Sequence, residues 1–225
     1  MGAPVGVGRA LVLDFGGPVL LTPFELATNT DPASPAYQLL HERGPFAPPE
    51  HPDAEWERLQ AGDITERDYW HSRAEAWARA HEGEQPDGNI REMIAHLYDP
   101  PHPGLVRPEA RRLIHDARAA GIPVGVLTND LSAFHSREWI DSIEILGHVD
   151  VIVDGSVEGV LKPHPRLYDL MRQRLDVDYP QMVFVDDQMT NVRGAEALGI
   201  PTIAFHPRDP AGGFRRIRAV VGLEE

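Results

Sequence analysis

Three short apolar runs in this chain each stop on a polar residue, and that repeated shape limits the folds open to it. Ala10-Leu11-Val12-Leu13 ends on Asp14 and turns through Phe15-Gly16-Gly17-Pro18. Val124 to Leu127 runs into Thr128-Asn129-Asp130, and Val183-Phe184-Val185 runs into Asp186-Asp187. A strand that stops on an acid and turns on glycines presents its carboxylate at the C-terminal edge of a sheet, where open α/β sheets bind ligands. Strands are expected at about 10–14, 124–127, 149–153, 182–185 and 201–205, separated by helices at 108–120, 132–146, 164–174 and 190–198. That alternation implies an α/β fold with a doubly wound parallel sheet.

The alternation is interrupted once. After the first strand come some eighty residues rich in Pro, His and acid near Pro45 to Asp53, then helical in pattern. Glu55 to Gln60, Thr65 to His81 and Asn89 to Leu97 read as helices, with Thr65 and Asp87 or Gly88 near plausible N-caps. The breaker cluster Pro100-Pro101-His102-Pro103 closes the stretch. Residues 22–103 are therefore expected to be a helical insertion, with 1–21 and 104–225 forming the α/β core.

Composition narrows the function. At 225 residues and 42% hydrophobic content the chain can bury one full core plus a small accessory domain. It has no cysteine, so neither disulfides nor thiolate chemistry contribute. A net charge of −14 argues against nucleic acid or an anionic membrane as main partner, because both require a basic face. An acidic balance still allows a phosphate ligand, since a metal ion and one or two local cations decide that affinity. No apolar stretch approaches a membrane span and the start lacks a signal-peptide pattern, so a cytoplasmic location is the expectation.

The order Asp14, Thr128-Asn129-Asp130, Lys162-Pro163 and Asp186-Asp187 with Asn191 resembles the haloacid dehalogenase superfamily of hydrolases, most of whose members are Mg²⁺-dependent phosphatases working through an aspartyl-phosphate. All four family motifs have a counterpart, within roughly residues 8–21 and 104–205, and Val183 to Thr202 (VFVDDQMTNVRGAEALGIPT) is similar to the fourth motif almost throughout. The resemblance implies a Rossmann-like core, a helical cap inserted after the first motif, and a small phosphorylated metabolite as substrate.

Asp14 is the candidate nucleophile, a carboxylate attacking phosphorus to form a covalent intermediate that water later hydrolyses. Alone it reads as a turn or cap aspartate. Clustered carboxylates repel unless a cation offsets them, and hard oxygen ligands select Mg²⁺. By resemblance Asp187 ligates the metal directly, Asp186 directly or through water, Asp14 through its carboxylate and Gly16 through its backbone carbonyl. Thr128, with the backbone N–H groups of Asn129 and Asp130, is a candidate phosphate holder, although a threonine capping the next helix explains the segment as well. Lys162 can neutralise both Asp14 and an incoming phosphate; without the motif it is one basic residue among 21. Asn191 resembles the residue that orients the acidic loop, and a polar residue in a helix's first turn accounts for it equally. Trp70 and Trp77, seven apart on one helical face, fit packing better than stacking on substrate. Tyr37, Arg43, Trp70 and His71 are loose candidates for substrate selection.

Gly16 departs from the family pattern, which carries a second aspartate there to protonate the leaving group and activate water. Pro18 departs too, stiffening the loop after Gly17. Two alternatives stay open beside the Mg²⁺ phosphatase. One is a catalytically silent or regulatory binding protein, motivated by Gly16 and Pro18. The other is a metal-independent 2-haloacid dehalogenase, which needs no acid at position 16 but leaves Asp186-Asp187 an unneeded, repulsive pair.

Overall fold

The computed structural model describes residues 9–80 and 89–223. The described parts of Met1–Leu20, Val106–Leu131 and Glu144–Glu225 form one compact unit, and those of Leu21–Leu105 and Ser132–Ile143 form another.

The first unit is an α/β fold around a five-stranded parallel sheet. Its strands are β1 (Ala10–Leu13), β2 (Val124–Thr128), β3 (Val151–Asp154), β4 (Met182–Asp186) and β5 (Thr202–Ala204), in the order β3-β2-β1-β4-β5. β1, β2 and β4 are buried at every residue, which is why they read as unbroken apolar runs. Ala10 and Val12 pack on one face with Leu167, Tyr168, Met171 and Ala195. Leu11 and Leu13, equally buried, point to the opposite face as the period of two requires. The strand order reverses at β1, so the C-terminal ends of β1 and β4 flank the topological switch point, the place where a doubly wound sheet opens a crevice.

Two expectations about helices change. Residues 132–146 do not form one helix: Leu131–Phe134 and Arg137–Ser142 are separate short helices, followed by a 3₁₀ turn at Glu144–His148. The break falls at Ser136, whose hydroxyl accepts from Trp139 N–H and so caps a new helix. Part of this segment clusters with the helical unit because Trp139 is buried there, its indole N–H donating to Tyr98 O (3.2 Å) and its ring stacked on His135. The second change is a C-terminal helix, Pro210–Val221, that the alternation did not anticipate; it starts on an Asp209 N-cap with Pro210 in its first turn.

The helical unit contains Pro23–Thr28, Pro35–Leu40, Ala54–Ala61, Glu66–Ala80 and Ile90–Tyr98. The first two are not among the helices expected from the sequence, yet each begins on a capping hydroxyl, Thr22 or Ser34, followed by proline. Thr65 does cap its helix, exchanging hydrogen bonds with Asp68. Asn89 caps Ile90–Tyr98; the expected caps Asp87 and Gly88 lie outside the described residues. Among the described residues no helix is long and apolar enough to cross a membrane.

An aromatic core of Phe24, Trp56, Tyr69 and Trp70, with ring centroids 5.2–6.2 Å apart, surrounds one buried acid. Asp53, 4% exposed, accepts from Gly44 N–H (3.0 Å), Trp56 N–H (3.2 Å), Tyr69 O–H (2.9 Å) and Arg73 Nη2 (3.2 Å). Burial pushes its pKa up, but the Gly44 N–H, the Arg73 charge and the Tyr69 hydroxyl outweigh burial and hold it below the ordinary 3.8. A depressed folded-state pKa means this stabilisation is present at neutral pH and is lost as pH falls below about 4. Asp53→Ala leaves the Tyr69 hydroxyl and the Gly44 and Trp56 amides without this acceptor, while Arg73 keeps Glu55, and should cost about 3 kcal/mol in urea unfolding at pH 7. The milder Asp53→Asn should narrow its stability deficit against wild type as pH drops toward 3. A constant deficit over that range would show that the charge of Asp53 contributes nothing.

Candidate active site

Four segments of the α/β unit meet at the C-terminal ends of β1, β2 and β4. Asp14 directly follows β1; its N–H donates to Val185 O (2.8 Å), and its Oδ1 accepts from Phe15 N–H (2.7 Å), which fixes the carboxylate's rotamer. Asp186 ends β4 with no solvent exposure. Between them lies Lys162, whose side chain is 1% exposed and whose ammonium reaches Asp14 Oδ1 (2.9 Å), Asp186 Oδ2 (2.7 Å) and Leu127 O (2.9 Å). Three acceptors match the three N–H bonds of an ammonium. Burial works against its charge, but contact with Asp14 and Asp186 prevails and holds the pKa above the ordinary lysine value. Lys162 is thus a fixed cation here and a poor proton donor.

The carboxylates of Asp14, Asp186 and Asp187 each bring an oxygen within 4.8 Å of the others. Three acids against one buried ammonium leave a double negative charge, and oxygen donors of this hardness fit a divalent cation such as Mg²⁺. Two glycines make the convergence possible. Gly17 has φ +79°, and a Cβ there would stand 2.8 Å from Asp187 Cγ, so the Asp187 carboxylate occupies space only glycine leaves open. A Cβ on Gly194 would stand 2.6 Å from Pro163 Cβ, so its absence lets the helix Met189–Glu196 lie against the Lys162-Pro163 segment.

Asn191, buried in that helix, donates through Nδ2 to both oxygens of Asp186 (3.2 Å each), and Gln188 N–H adds a further bond (2.8 Å). Tyr168 O–H in turn donates to Asn191 O (2.8 Å). Thr128 is the buried last residue of β2, and the next helix begins only at Leu131, which removes the helix-capping explanation. The Asn129 side chain has a role beside the one expected of its backbone: its Oδ1 accepts from Lys162 N–H (2.7 Å) and its Nδ2 donates to Lys162 O (3.5 Å). Its side chain therefore clamps the lysine's own peptide groups.

Gly16 lies exposed at the rim with φ outside the left-handed region, and among the described residues nothing lies within 4 Å of where its Cβ would stand. A side chain is sterically welcome there. The selectivity candidates belong to the helical unit: Trp70 is buried in its aromatic core, Tyr37 stacks on His41, Arg43 is exposed, and His71 pairs with Glu75 (3.2 Å).

One residue escaped the sequence reading altogether. Arg107, 4% exposed, donates from Nε to Gly17 O (2.5 Å), ninety positions away. An arginine before a Pro-initiated helix carries no local sign of such a contact.

A family profile described as haloacid dehalogenase-like hydrolase matches residues 43–199. A phosphoglycolate phosphatase of Yersinia pseudotuberculosis is 29% identical over 135 residues, 59% of this chain and 58% of that protein. A phosphatase of Mycobacterium tuberculosis is 33% identical over 93 residues, 41% and 43% of the two chains. A mouse protein, acyl-CoA dehydrogenase family member 10, is 33% identical over 118 residues, 52% of this chain and 10% of its own length. The chain thus spans less than two thirds of each of these relatives. Among solved structures, the magnesium-bound HAD-hydrolase YfnB of Bacillus subtilis covers 97% of this chain and 100% of its own at TM-score 0.64 and 14% identity. The L-2-haloacid dehalogenase of Xanthobacter autotrophicus covers 87% and 76% at TM-score 0.57 and 20% identity. At such identities the likeness concerns the fold.

Proposed function

The chain belongs to the haloacid dehalogenase-like hydrolases, and on that footing we propose that it is a Mg²⁺-dependent phosphatase of a small phosphorylated metabolite, with Asp14 as nucleophile. The observation that carries the reading is the trio Asp14, Asp186 and Asp187 around a buried Lys162. A halide-displacing enzyme has no use for the surplus negative charge, whereas a phosphatase requires the cation that the charge attracts. Asp14, Asp186 and Asp187, with the Gly16 carbonyl, would hold that cation. Bound there, Mg²⁺ would offset the charge of the phosphoryl group and let one anion approach another.

The chain's own groups account for the rest. Asp14 attacks phosphorus in line; the P–O bond to the leaving group breaks and the aspartyl-phosphate forms. Lys162 draws Asp14 into one orientation and offsets charge on the phosphoryl oxygens, with the Thr128 hydroxyl and the N–H groups after it as further donors. Water then attacks phosphorus, releasing inorganic phosphate and regenerating the Asp14 carboxylate. The helical unit is proposed as the cap that selects substrate.

Gly16 sets a consequence for specificity. General acid catalysis is worth roughly 10²–10⁴-fold, and position 16 offers no acid while the nearby Lys162 is held protonated. The departing oxygen therefore leaves as an anion. A panel of phosphate esters assayed with and without Mg²⁺ should show metal-dependent release of phosphate and faster turnover of aryl, anomeric and acyl phosphates than of alkyl ones. Gly16→Asp, which the open space at that position accommodates, should flatten the dependence of log rate on leaving-group pKa. Metal-independent halide release from 2-haloacids would replace this reading with a dehalogenase, and ligand binding without turnover would replace it with a silent binding protein.

A further inference from the structure

We propose that Arg107 is a positioning residue of the phosphoryl-transfer site, holding the loop after Asp14 and the loop after β4 at the spacing their carboxylates need to share a cation; this rests on the Mg²⁺ phosphatase reading. Arg107 is tied to the first loop at several points. Its Nε donates to Gly17 O (2.5 Å), its own N–H donates to Val19 O (2.9 Å), and the neighbouring Val106 bridges to Leu20 in antiparallel fashion. Gly17 is the residue against which the Asp187 carboxylate lies. Arg107 therefore fixes the peptide that forms the seat of a metal ligand.

The same guanidinium reaches the end of β4, from which the second loop departs, through Phe205, the residue after β5. Its central carbon sits 5.5 Å from the centre of the Phe205 ring. Phe205 N–H donates to Asp186 O (2.9 Å), so this ring is coupled through its own backbone to the residue next to Asp187. Phe205 is 3% exposed and meets Phe214 of the helix Pro210–Val221 edge-on (5.4 Å), which keeps the ring from turning away. Taking a guanidinium out of water costs several kcal/mol, and an apolar side chain would fill the space without that cost. What an apolar residue lacks is a planar donor that grips a carbonyl and stacks on a ring at once.

The test is calorimetric titration of Mg²⁺ into the full-length, substrate-free protein, wild type and Arg107→Met, together with kcat and KM at saturating metal. Arg107→Met should weaken Mg²⁺ binding about 10–100-fold, as loss of groups that orient ligands typically does, while KM for the ester stays within about two-fold. Arg107→Lys, which keeps the charge but not the fork, should fall between the two and serves if the methionine variant does not fold. Asp53→Asn, destabilised in the other unit, should bind Mg²⁺ as wild type does, which separates positioning from general loss of stability. Unchanged Mg²⁺ affinity in both Arg107 variants overturns the inference alone. No Mg²⁺ binding by wild type overturns the metal reading, and this inference with it.

Discussion

Asp14→Asn should abolish turnover while leaving the protein folded. The amide is nearly isosteric with the carboxylate, and its oxygen can still accept from Phe15 N–H and from Lys162, the two donors that hold Oδ1. It is nevertheless a poor nucleophile, and with no covalent intermediate there is no second step for water to complete. Loss of a nucleophile from an enzyme of this kind costs at least about 10⁴-fold in kcat. The melting temperature without metal should not fall, because one of three mutually repelling carboxylates has been neutralised. Wild-type enzyme quenched during turnover should carry a phosphoryl group on Asp14, detectable by mass spectrometry, and the variant should not. Activity within a few-fold of wild type at normal stability would remove the covalent mechanism.

Lys162→Met is expected to have the largest effect on stability. Lys162 is the ammonium shared by Asp14 and Asp186, and Asp186 has no contact with solvent. Removing one partner of a buried ion pair leaves an uncompensated charge, at a cost of about 3–5 kcal/mol. In wild type the folded-state pKa of Lys162 is raised, so its stabilising contribution is complete below the unfolded lysine value and is lost only as pH rises through the folded one. Wild-type stability should therefore take no slope from Lys162 between pH 5 and 8, far below the ordinary lysine value of 10.5. The variant behaves differently. With the ammonium gone, a buried carboxylate is easier to protonate in the folded state than in the unfolded one, so stability should rise as pH falls from 8 to 5. Urea midpoints across that range measure the slope, and added Mg²⁺ should recover part of the loss at pH 8 by linkage. A variant as stable as wild type at every pH would mean that the acids do not depend on Lys162 for their charge balance. Its kcat should fall as well, since the variant loses the ammonium that lies against Asp14 and would meet an incoming phosphate.

Asp14, Asp186 and Asp187 could be singled out from the chain because their signals are local, whereas Lys162 and Asn191 stood out only through the resemblance to the family. Each acid follows an apolar run, and polarity at the end of a buried strand is visible in four or five consecutive letters. The strands of the sheet were legible for the same reason, and their alternation with helices implied parallel pairing before any contact was known. Segments whose conformation depends on partners were not. Residues 132–146 carry helical propensity throughout, yet the Ser136 cap and the burial of Trp139 against Tyr98 break them into pieces. Pro23–Thr28 and Pro35–Leu40, each opening on one proline, became helices because proline suits a first turn as well as it suits a break.

What the sequence by itself determined, then, is the set of strands, their order of polar endings and the chemical groups delivered to one edge of a sheet. Tertiary structure decided how those groups are held: Asn129 closing on the Lys162 peptide, Gly17 yielding space to Asp187, Gly194 admitting Pro163, and Arg107 reaching Gly17 O across ninety positions. Apolar periodicity and strand endings are written in neighbouring residues, and folding must respect them whatever else happens. A hydrogen bond between distant segments depends on strand register and helix packing together, and no spacing in the chain encodes it.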